Sequence, residues 1–292
     1  MDIVVNFAPT GMIPTKKMSS HAPVSVSEVV EDVLRATEIG ITTVHLHARD
    51  EATGSPAYAA EIYAEMIDGI RKYARDLVIG VSTSGRRFGQ FKQRADCLRL
   101  TGDQKPDMGS LTLSSVNFNK QASVNSPGMI LKLAEEMSER GILPELEAFD
   151  AGMINYAKYL AHRGMLRPPH YFNLILGNIA CAQADLLHVG VMIRDLPPDS
   201  YWSLAGVGAA QLPMNSLAVA VGGGVRVGLE DNLWFDLERT RLATNADLLK
   251  RVGTLIEANG HQVMSPAAFR RLLKLEPGNG KYGRLATEND GG

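Results

Sequence analysis

The chain has 292 residues, of which 45% are hydrophobic and 21% charged, with a formal net charge of −2. This composition is typical of a globular protein with ample length for a large core. Near-neutral charge argues against nucleic acid as the main partner, because nucleic-acid binding usually needs a basic face. The two cysteines, Cys97 and Cys181, offer no disulfide framework and fit a reducing compartment.

Targeting and membrane segments are not evident in the sequence. Residues 1–7 lack the basic start and long apolar run of a signal peptide. Residues 200–225 carry no charge, but they include Gln211, Pro213 and three consecutive glycines, which make a poor spanning helix. A strand followed by a buried helix explains this stretch better. We therefore expect a cytoplasmic protein with no membrane partner.

The chain in order repeats one pattern: a short apolar strand, a polar loop and an amphipathic helix. Strands are predicted at residues 3–7, 43–47, 77–82, 108–116, 145–149, 171–176, 200–205 and 225–229. Helices are predicted at residues 27–39, 58–73, 90–100, 126–140, 152–162, 181–191, 209–221 and 245–257, with a short one at 266–273. The Gly-rich residues from about 275 to 292 are expected to form a frayed tail.

Eight strand–helix units in this length predict a single-domain (β/α)₈ TIM barrel over residues 1–292. The alternative is a doubly wound open sheet, but no Gly-x-Gly-x-x-Gly fingerprint follows the first predicted strand. In a barrel the active site lies at the carboxyl ends of the strands. Polar residues at those ends are therefore the candidates for function.

The second predicted strand carries His45 and His47 on one face and apolar residues on the other. Two residues of rise span about 7 Å, so both imidazoles can lean onto one metal ion. The alternative is a buried strand whose histidines hydrogen-bond to neighbours. The pair followed by Ala-Arg-Asp favours a metal site.

The eighth predicted strand alternates, with Arg226, Gly228 and Glu230 expected to face the barrel interior. A charge there is expensive unless it is paired or ligated, so Glu230 is a good third metal ligand. Two histidines and one carboxylate suit catalytic zinc, and they also resemble the ligands of non-haem iron oxygenases. Asp231 follows at the strand exit, where it can pair with Arg226; a purely structural pair is the alternative.

Polar residues also lie near the ends of the third, fourth and fifth strands. Glu145 and Glu147 share the inward face of the fifth strand, so both are catalytic candidates and at least one should neighbour the site. The alternative is that one merely pairs with an arginine such as Arg49. Ser82 on the third strand can offer a hydroxyl to a substrate carboxylate. Thr112 and Asn117, around the fourth strand, are weaker candidates of the same kind.

Four motifs of the chain resemble the β-keto acid cleavage enzymes. They are TGMIPTK (10–16), VHLHARD (44–50), PELEAFDAG (144–152) and RVGLEDN (226–232). The resemblance runs from about residue 3 to residue 275 and depends on no single short pattern. It implies a zinc-dependent TIM barrel, active as a homo-oligomer such as a tetramer. Its reaction condenses a β-keto acid with acetyl-CoA, giving acetoacetate and a new acyl-CoA through a zinc-stabilised enolate and a retro-Claisen cleavage.

Site roles also follow from the resemblance. It implies zinc binding by His45, His47 and Glu230, and a substrate carboxylate held by Ser82. It makes Arg226 and Asp231 the dyad that deprotonates the carbon between ketone and carboxylate. Arginine alone is a poor base, since its pKa exceeds about 12.

One departure from the family concerns the first loop. The family member that acts on 3-keto-5-aminohexanoate has a glutamate for the substrate amino group where this chain has Ile13. An apolar residue cannot compensate an ammonium, so a neutral or anionic β-keto acid is expected. Arg86 and Arg87 leave an anionic tail open.

Two other functions compete with this interpretation. The first is a zinc hydrolase of the amidohydrolase kind, which also uses His-x-His in a barrel but carries it on the first strand. The second is a catalytically silent barrel that serves as a binding protein, which predicts no metal.

Overall fold

The computed structural model describes residues 1–285 and contains a closed barrel of eight parallel strands. The barrel strands are β1 (Val5–Phe7), β2 (Thr43–Leu46), β3 (Val78–Val81), β4 (Met108–Thr112), β5 (Leu143–Ala148), β6 (His170–Leu176), β7 (Ser200–Gly206) and β8 (Gly224–Val227). Each strand pairs with the next one along the chain, and β8 pairs with β1 to close the barrel. The predicted (β/α)₈ fold is confirmed.

Helices surround the barrel and connect its strands. They are α1 (Val26–Ile39), α2 (Ala60–Arg71), α3 (Phe91–Arg94), α4 (Pro127–Glu139), α5 (Ala151–His162), α6 (Leu186–Arg194), α7 (Gln211–Ala220), α8 (Asn245–Ala258) and α9 (Pro266–Leu272). Helix α1 begins with a capping box, in which Ser25 accepts from the Glu28 amide and the Glu28 side chain bonds back. Over residues 1–285, no helix is long and apolar enough to cross a membrane.

Two predicted helices are shorter than expected because side chains make other contacts. The helix predicted at 90–100 is broken into α3 and a 3₁₀ turn, Asp96–Arg99. Arg94 turns inward to the Thr83 carbonyl at 2.7 Å, and Asp96 caps α2 by accepting from the Ala60 amide at 2.8 Å. Helix α6 begins at 186 rather than 181, because Asp185 is its N-cap.

Strand β8 ends two residues earlier than predicted. Gly228 has φ 151°, and a Cβ there would lie 2.0 Å from the Ala8 carbonyl oxygen, so the chain turns where only glycine fits. Leu229 is then buried, and Glu230 lies on a turn. The prediction that Glu230 lies on the strand and faces inward by alternation was wrong. The turn after the strand positions this carboxylate instead.

The amino end of the barrel is closed by α9 and by a buried group of charges, Asp107, Arg71 and Arg270, called here the lower cluster. Asp107 precedes β4 and accepts hydrogen bonds from Arg270 Nη1 at 2.8 Å and Nη2 at 2.9 Å, and from Arg71 Nη2 at 3.2 Å. The amides of Ile79 and Gly283 also donate to it, at 3.0 and 2.9 Å. Both carboxylate oxygens are therefore saturated.

The predicted frayed tail is ordered over residues 275–285. Leu275 pairs with Arg284 in a short antiparallel bridge, and Tyr282 is buried. The Arg71 guanidinium carbon lies 3.2 Å from the centroid of the Tyr282 ring. This segment packs because it donates to the lower cluster, a contact that its glycines did not reveal. Residues 286–292, the rest of the predicted tail, lie outside the described residues.

Candidate active site

Three predicted metal ligands meet at the carboxyl end of the barrel. His45 lies on β2, His47 directly follows that strand, and Glu230 comes from the turn after β8. The two Nε2 atoms are 3.2 Å apart, and His47 Nε2 lies 3.2 Å from Glu230 Oε1. Both histidines are buried. The structure thus brings together donor atoms that are 183 positions apart in the chain.

These donors fit a bound divalent metal. Their ligand atoms all lie within 4.8 Å of one another. Glu230 Oε2 is buried and has no hydrogen-bond partner within the described residues, which is costly in an apolar surrounding unless a ligand satisfies it. Two imidazole nitrogens and one carboxylate form a donor set that suits zinc and leaves positions open. His45, His47 and Glu230 are therefore the residues that would hold the metal.

Glu145 lies behind His45, on the side away from the other ligands. Its Oε2 is 2.7 Å from His45 Nδ1, and its Oε1 accepts from Asn6 at 2.8 Å and from Asn173 at 2.6 Å. Burial would lower the pKa of His45, but the Glu145 and Glu230 charges outweigh it and raise that pKa to about 9. Burial would raise the pKa of Glu145, yet His45 and Arg226 lower it to about 2.

This contact fixes which nitrogen of His45 faces the site. A carboxylate on Nδ1 holds the proton there and leaves Nε2 free to bind a metal. Glu145 is fully buried and does not line the cavity. From this contact we infer that Glu145 acts through His45, as a positioning residue.

Arg226 occupies the centre of the site from its place on β8. Its Nε donates to Asp231 Oδ2 at 3.0 Å, and its Nη2 lies 2.8 Å from Glu230 Oε1. Nη1 is 3.6 Å from Glu147 Oε1, and Glu147 Oε2 accepts from the Thr112 hydroxyl at 2.6 Å. The predicted pairing of Arg226 with Asp231 is therefore present.

The surroundings of Arg226 and Asp231 give the two side chains different proton affinities. Burial would lower the pKa of Arg226, but Asp231 and Glu230 hold it well above its usual range, so the guanidinium stays charged. Burial raises the pKa of Asp231 despite the opposing charge of Arg226. Asp231 is thus the member that can accept a proton.

We call the seven charged or titratable residues of this site the upper cluster. They are His45, His47, Glu145, Glu147, Arg226, Glu230 and Asp231. A cavity of about 1010 Å³ opens above them, and Ser82, Thr112 and Glu147 lie on its wall. Asn117 does not line this cavity: its side chain is exposed on the hairpin Val116–Ser123, and its carbonyl accepts from Asn178. The structure therefore does not bring Asn117 together with the other predicted substrate-binding residues.

Of the loop residues Arg49 and Ile13, only Ile13 lines the cavity. Arg49 pairs with neither glutamate of β5, but donates to the carbonyls of Gly11 and Gly54. Ile13 is 46% exposed and lines the cavity, which leaves an apolar wall on the first loop.

Three residues that shape the site were missed in the sequence. Asn6 and Asn173 are buried polar residues on apolar strands. The alternation of side chains along each strand could have identified them as inward-facing. Gly11 leaves room for Glu230, since a Cβ there would lie 2.4 Å from Glu230 Cγ. No local pattern shows that requirement, because it depends on a contact between distant loops.

Comparisons with known proteins agree with this geometry. A family profile described as beta-keto acid cleavage enzyme matches residues 2–275. The chain is 36% identical over 275 residues to a 3-oxoadipate:acetyl-CoA acetyltransferase of Cupriavidus necator, covering 93% of this chain and 94% of that one. It is 31% identical over 276 residues to a 3-keto-5-aminohexanoate cleavage enzyme of Fusobacterium nucleatum, covering 94% and 98%.

A solved structure shares the fold. It is a binary complex of ObcA with oxaloacetate, with a TM-score of 0.75 at 20% identity, covering 87% of this chain and 67% of the other. The profile match over nearly the whole chain and the relatives above 30% identity lead to one conclusion: the chain belongs to the beta-keto acid cleavage enzyme family.

Proposed function

We propose that this protein is a zinc-dependent enzyme that reacts a β-keto acid with acetyl-CoA to give acetoacetate and a new acyl-CoA. The observation that carries the proposal is the His45–His47–Glu230 donor set beside the Arg226–Asp231 pair, at the floor of one cavity. Membership of the family and the activities for which its relatives are named support the reaction type.

Each residue of the site has a task in this reaction. When bound, the metal supplies Lewis-acid polarisation of the keto group. Asp231 removes a proton from the carbon between ketone and carboxylate, and the fixed charge of Arg226 stabilises the negative charge that develops. Ser82 lines the cavity and offers its hydroxyl to the substrate carboxylate, and Thr112, whose hydroxyl donates to Glu147, lines the wall beside it.

The remaining steps transfer carbon and CoA with all atoms balanced. The substrate carbanion attacks the acetyl thioester carbonyl and releases CoA thiolate. That thiolate then attacks the original keto carbon, the bond from this carbon to the carbon that carries the new acetyl group breaks, and the released carbanion takes back the proton held by Asp231. The acetyl carbons end in acetoacetate, and the acyl part of the β-keto acid leaves as its CoA ester.

The substrate is proposed to be a neutral or anionic β-keto acid rather than a cationic one. Ile13 presents no charge to the cavity. The relative named for 3-oxoadipate, a β-keto acid with a second carboxylate, supports an anionic substrate. A substrate panel tests this, and clear preference for an amino-bearing β-keto acid would contradict it.

Mass spectrometry of CoA esters tests the activity itself. Purified protein is mixed with acetyl-CoA and a set of β-keto acids, and we expect a new acyl-CoA for the preferred acid. Omission of acetyl-CoA separates this function from the hydrolase alternative, since a hydrolase turns over without it.

A homo-oligomer, such as the tetramer that the family implies, is part of the proposal. Leu186 and Leu187 at the start of α6 are each 73% exposed, and nearby Ile179 is 70% exposed. Light scattering on the purified protein measures the mass in solution, and we expect about four times that of one chain.

A further inference from the structure

Arg86 is a half-buried arginine on the loop after β3, on the wall of the active-site cavity. Its guanidinium carbon lies 3.5 Å from the centroid of the Phe118 ring. Over the described chain, its side chain makes no ion pair and donates no hydrogen bond. Stacking of this kind stabilises the cation and orients the guanidinium plane, but it leaves the N–H donors unused.

Contacts on several sides fix the position of Arg86. The Arg86 amide donates to Ser84 Oγ at 3.3 Å, and its carbonyl accepts from Gln121 Nε2 at 3.1 Å. Phe118 in turn packs edge-to-face on Phe149, with 5.8 Å between ring centroids. A guanidinium held in this way loses less entropy when it binds an anion.

Other arginines near the cavity do not share this combination. Arg94 uses its guanidinium on Thr83, Val124 and Asn125. Arg87 is exposed, so water solvates its charge. Arg86 is the cavity arginine that is stacked, half-buried and without a polar partner within residues 1–285.

The charges around Arg86 favour an external anion as the partner of its guanidinium. Burial lowers the pKa of Arg86, while the charges of Glu230, Glu147 and Asp231 act in the opposite direction and keep it a cation. Those three carboxylates are already engaged by Arg226. They therefore face Arg86 without pairing with it.

We propose that Arg86 is a specificity-determining residue that binds a carboxylate of the β-keto acid. The proposal rests on the proposed function. The planar fork matches a carboxylate in bidentate geometry, and the Phe118 ring supports one face of it. The carboxylate has two possible sources: the one that every β-keto acid carries, or a second one at the far end of a dicarboxylic acid.

Steady-state kinetics of Arg86→Gln and Arg86→Lys with 3-oxohexanoate and 3-oxoadipate test the proposal. These acids have the same chain length and differ by one carboxylate. For Arg86→Gln we expect KM for the acid to rise about ten- to 100-fold, the range of a lost charge-assisted bond. We expect kcat within about threefold of wild type and an unchanged KM for acetyl-CoA; Arg86→Lys should recover part of the loss. Arg194→Gln, on α6 and away from the cavity, is the matched control.

The outcomes separate the sources of the carboxylate. A rise with both acids assigns Arg86 to the carboxylate that all β-keto acids carry, and a rise with 3-oxoadipate alone assigns it to the far end. Unchanged KM for both acids, or a rise in KM for acetyl-CoA instead, overturns the proposal. Calorimetric titration of the same acids without acetyl-CoA gives an independent readout: equal affinity of wild type and Arg86→Gln for both acids also overturns it. Failure of the proposed function looks different, since wild type would then form no acyl-CoA.

Discussion

Charges are buried at both ends of this barrel, and the two clusters differ in which atoms remain without partners. In the lower cluster, Asp107 accepts five hydrogen bonds, and the Arg71 guanidinium, whose Nε lacks a partner, lies against the Tyr282 ring. In the upper cluster, Glu230 Oε2 and Arg226 Nη1 lack hydrogen-bond partners within the described residues, and both residues line an open cavity.

This difference suggests two roles: the lower cluster stabilises the fold, and the upper cluster binds a ligand. A buried ion whose bonds are all made by protein supports structure, and its loss exposes the partner charge. A buried polar atom without a partner requires an explanation such as an ion or substrate. We therefore expect changes in the upper cluster to affect activity, and changes in the lower cluster to affect stability.

The largest expected effect is that of Asp231→Asn. The amide cannot accept the substrate proton, so kcat should fall by about 10²–10⁴-fold. The melting temperature should stay close to that of wild type, because buried Arg226 keeps the carboxylates of Glu230 and Glu147 as counter-charges. Steady-state kinetics and thermal denaturation measure both quantities. Full activity in Asp231→Asn would remove this residue from the role of base.

Asp107→Asn should give the reciprocal result. The change leaves the buried guanidinium groups of Arg270 and Arg71 without their anion, which costs about 3–5 kcal/mol in free energy of unfolding. Urea denaturation measures this loss, and kcat of the folded fraction should match wild type. An unchanged free energy of unfolding would show that the lower cluster does not stabilise the barrel as argued.

Glu145→Gln probes the connection between site and scaffold. A neutral amide orients His45 less strongly, so zinc affinity should fall by about 10–100-fold. Competition with a metal chelator measures the affinity, and circular dichroism checks the fold. Wild-type affinity in this variant would mean that Glu145 does not position His45.

The smallest effect concerns pH and His170, outside both clusters. Burial and nearby Arg284 lower the pKa of His170 from 6.5 to about 4. The unfolded state therefore binds more protons than the folded state between these values, and stability falls as pH drops from about 6.5 to 4. When the pH is lowered from 7.5 to 4.5, the Tm of wild type should therefore fall about 2–4 °C further than the Tm of His170→Gln. Identical pH profiles would contradict this.

Much of the site was predictable from the sequence because its residues lie in short patterns. The histidine pair alternates on one strand, and the Arg226–Asp231 pair lies within six residues at a strand exit. Eight strand–helix units gave the barrel, since local hydrophobic period determines each element. These features depend on neighbours in the chain.

Features that depend on distant contacts were not predictable. Arg270 and Asp107 are 163 positions apart, so the lower cluster and the ordered segment 275–285 left no local signal. The early end of β8 depends on the close approach of Ala8 to Gly228. The exposure of Asn117 was not predictable, because the hairpin after β4, absent from the predicted elements, turns its side chain to the surface.

The most direct test of the central claim uses acetyl-CoA with a ¹³C-labelled acetyl group and 3-oxoadipate or 3-oxohexanoate. Metal-stripped protein, zinc-reloaded protein and reloaded His45→Ala are compared, with products followed by mass spectrometry. We predict doubly labelled acetoacetate and an unlabelled new acyl-CoA from the zinc-reloaded wild type alone. Equal turnover by the stripped protein, or label in the new acyl-CoA, would contradict the account.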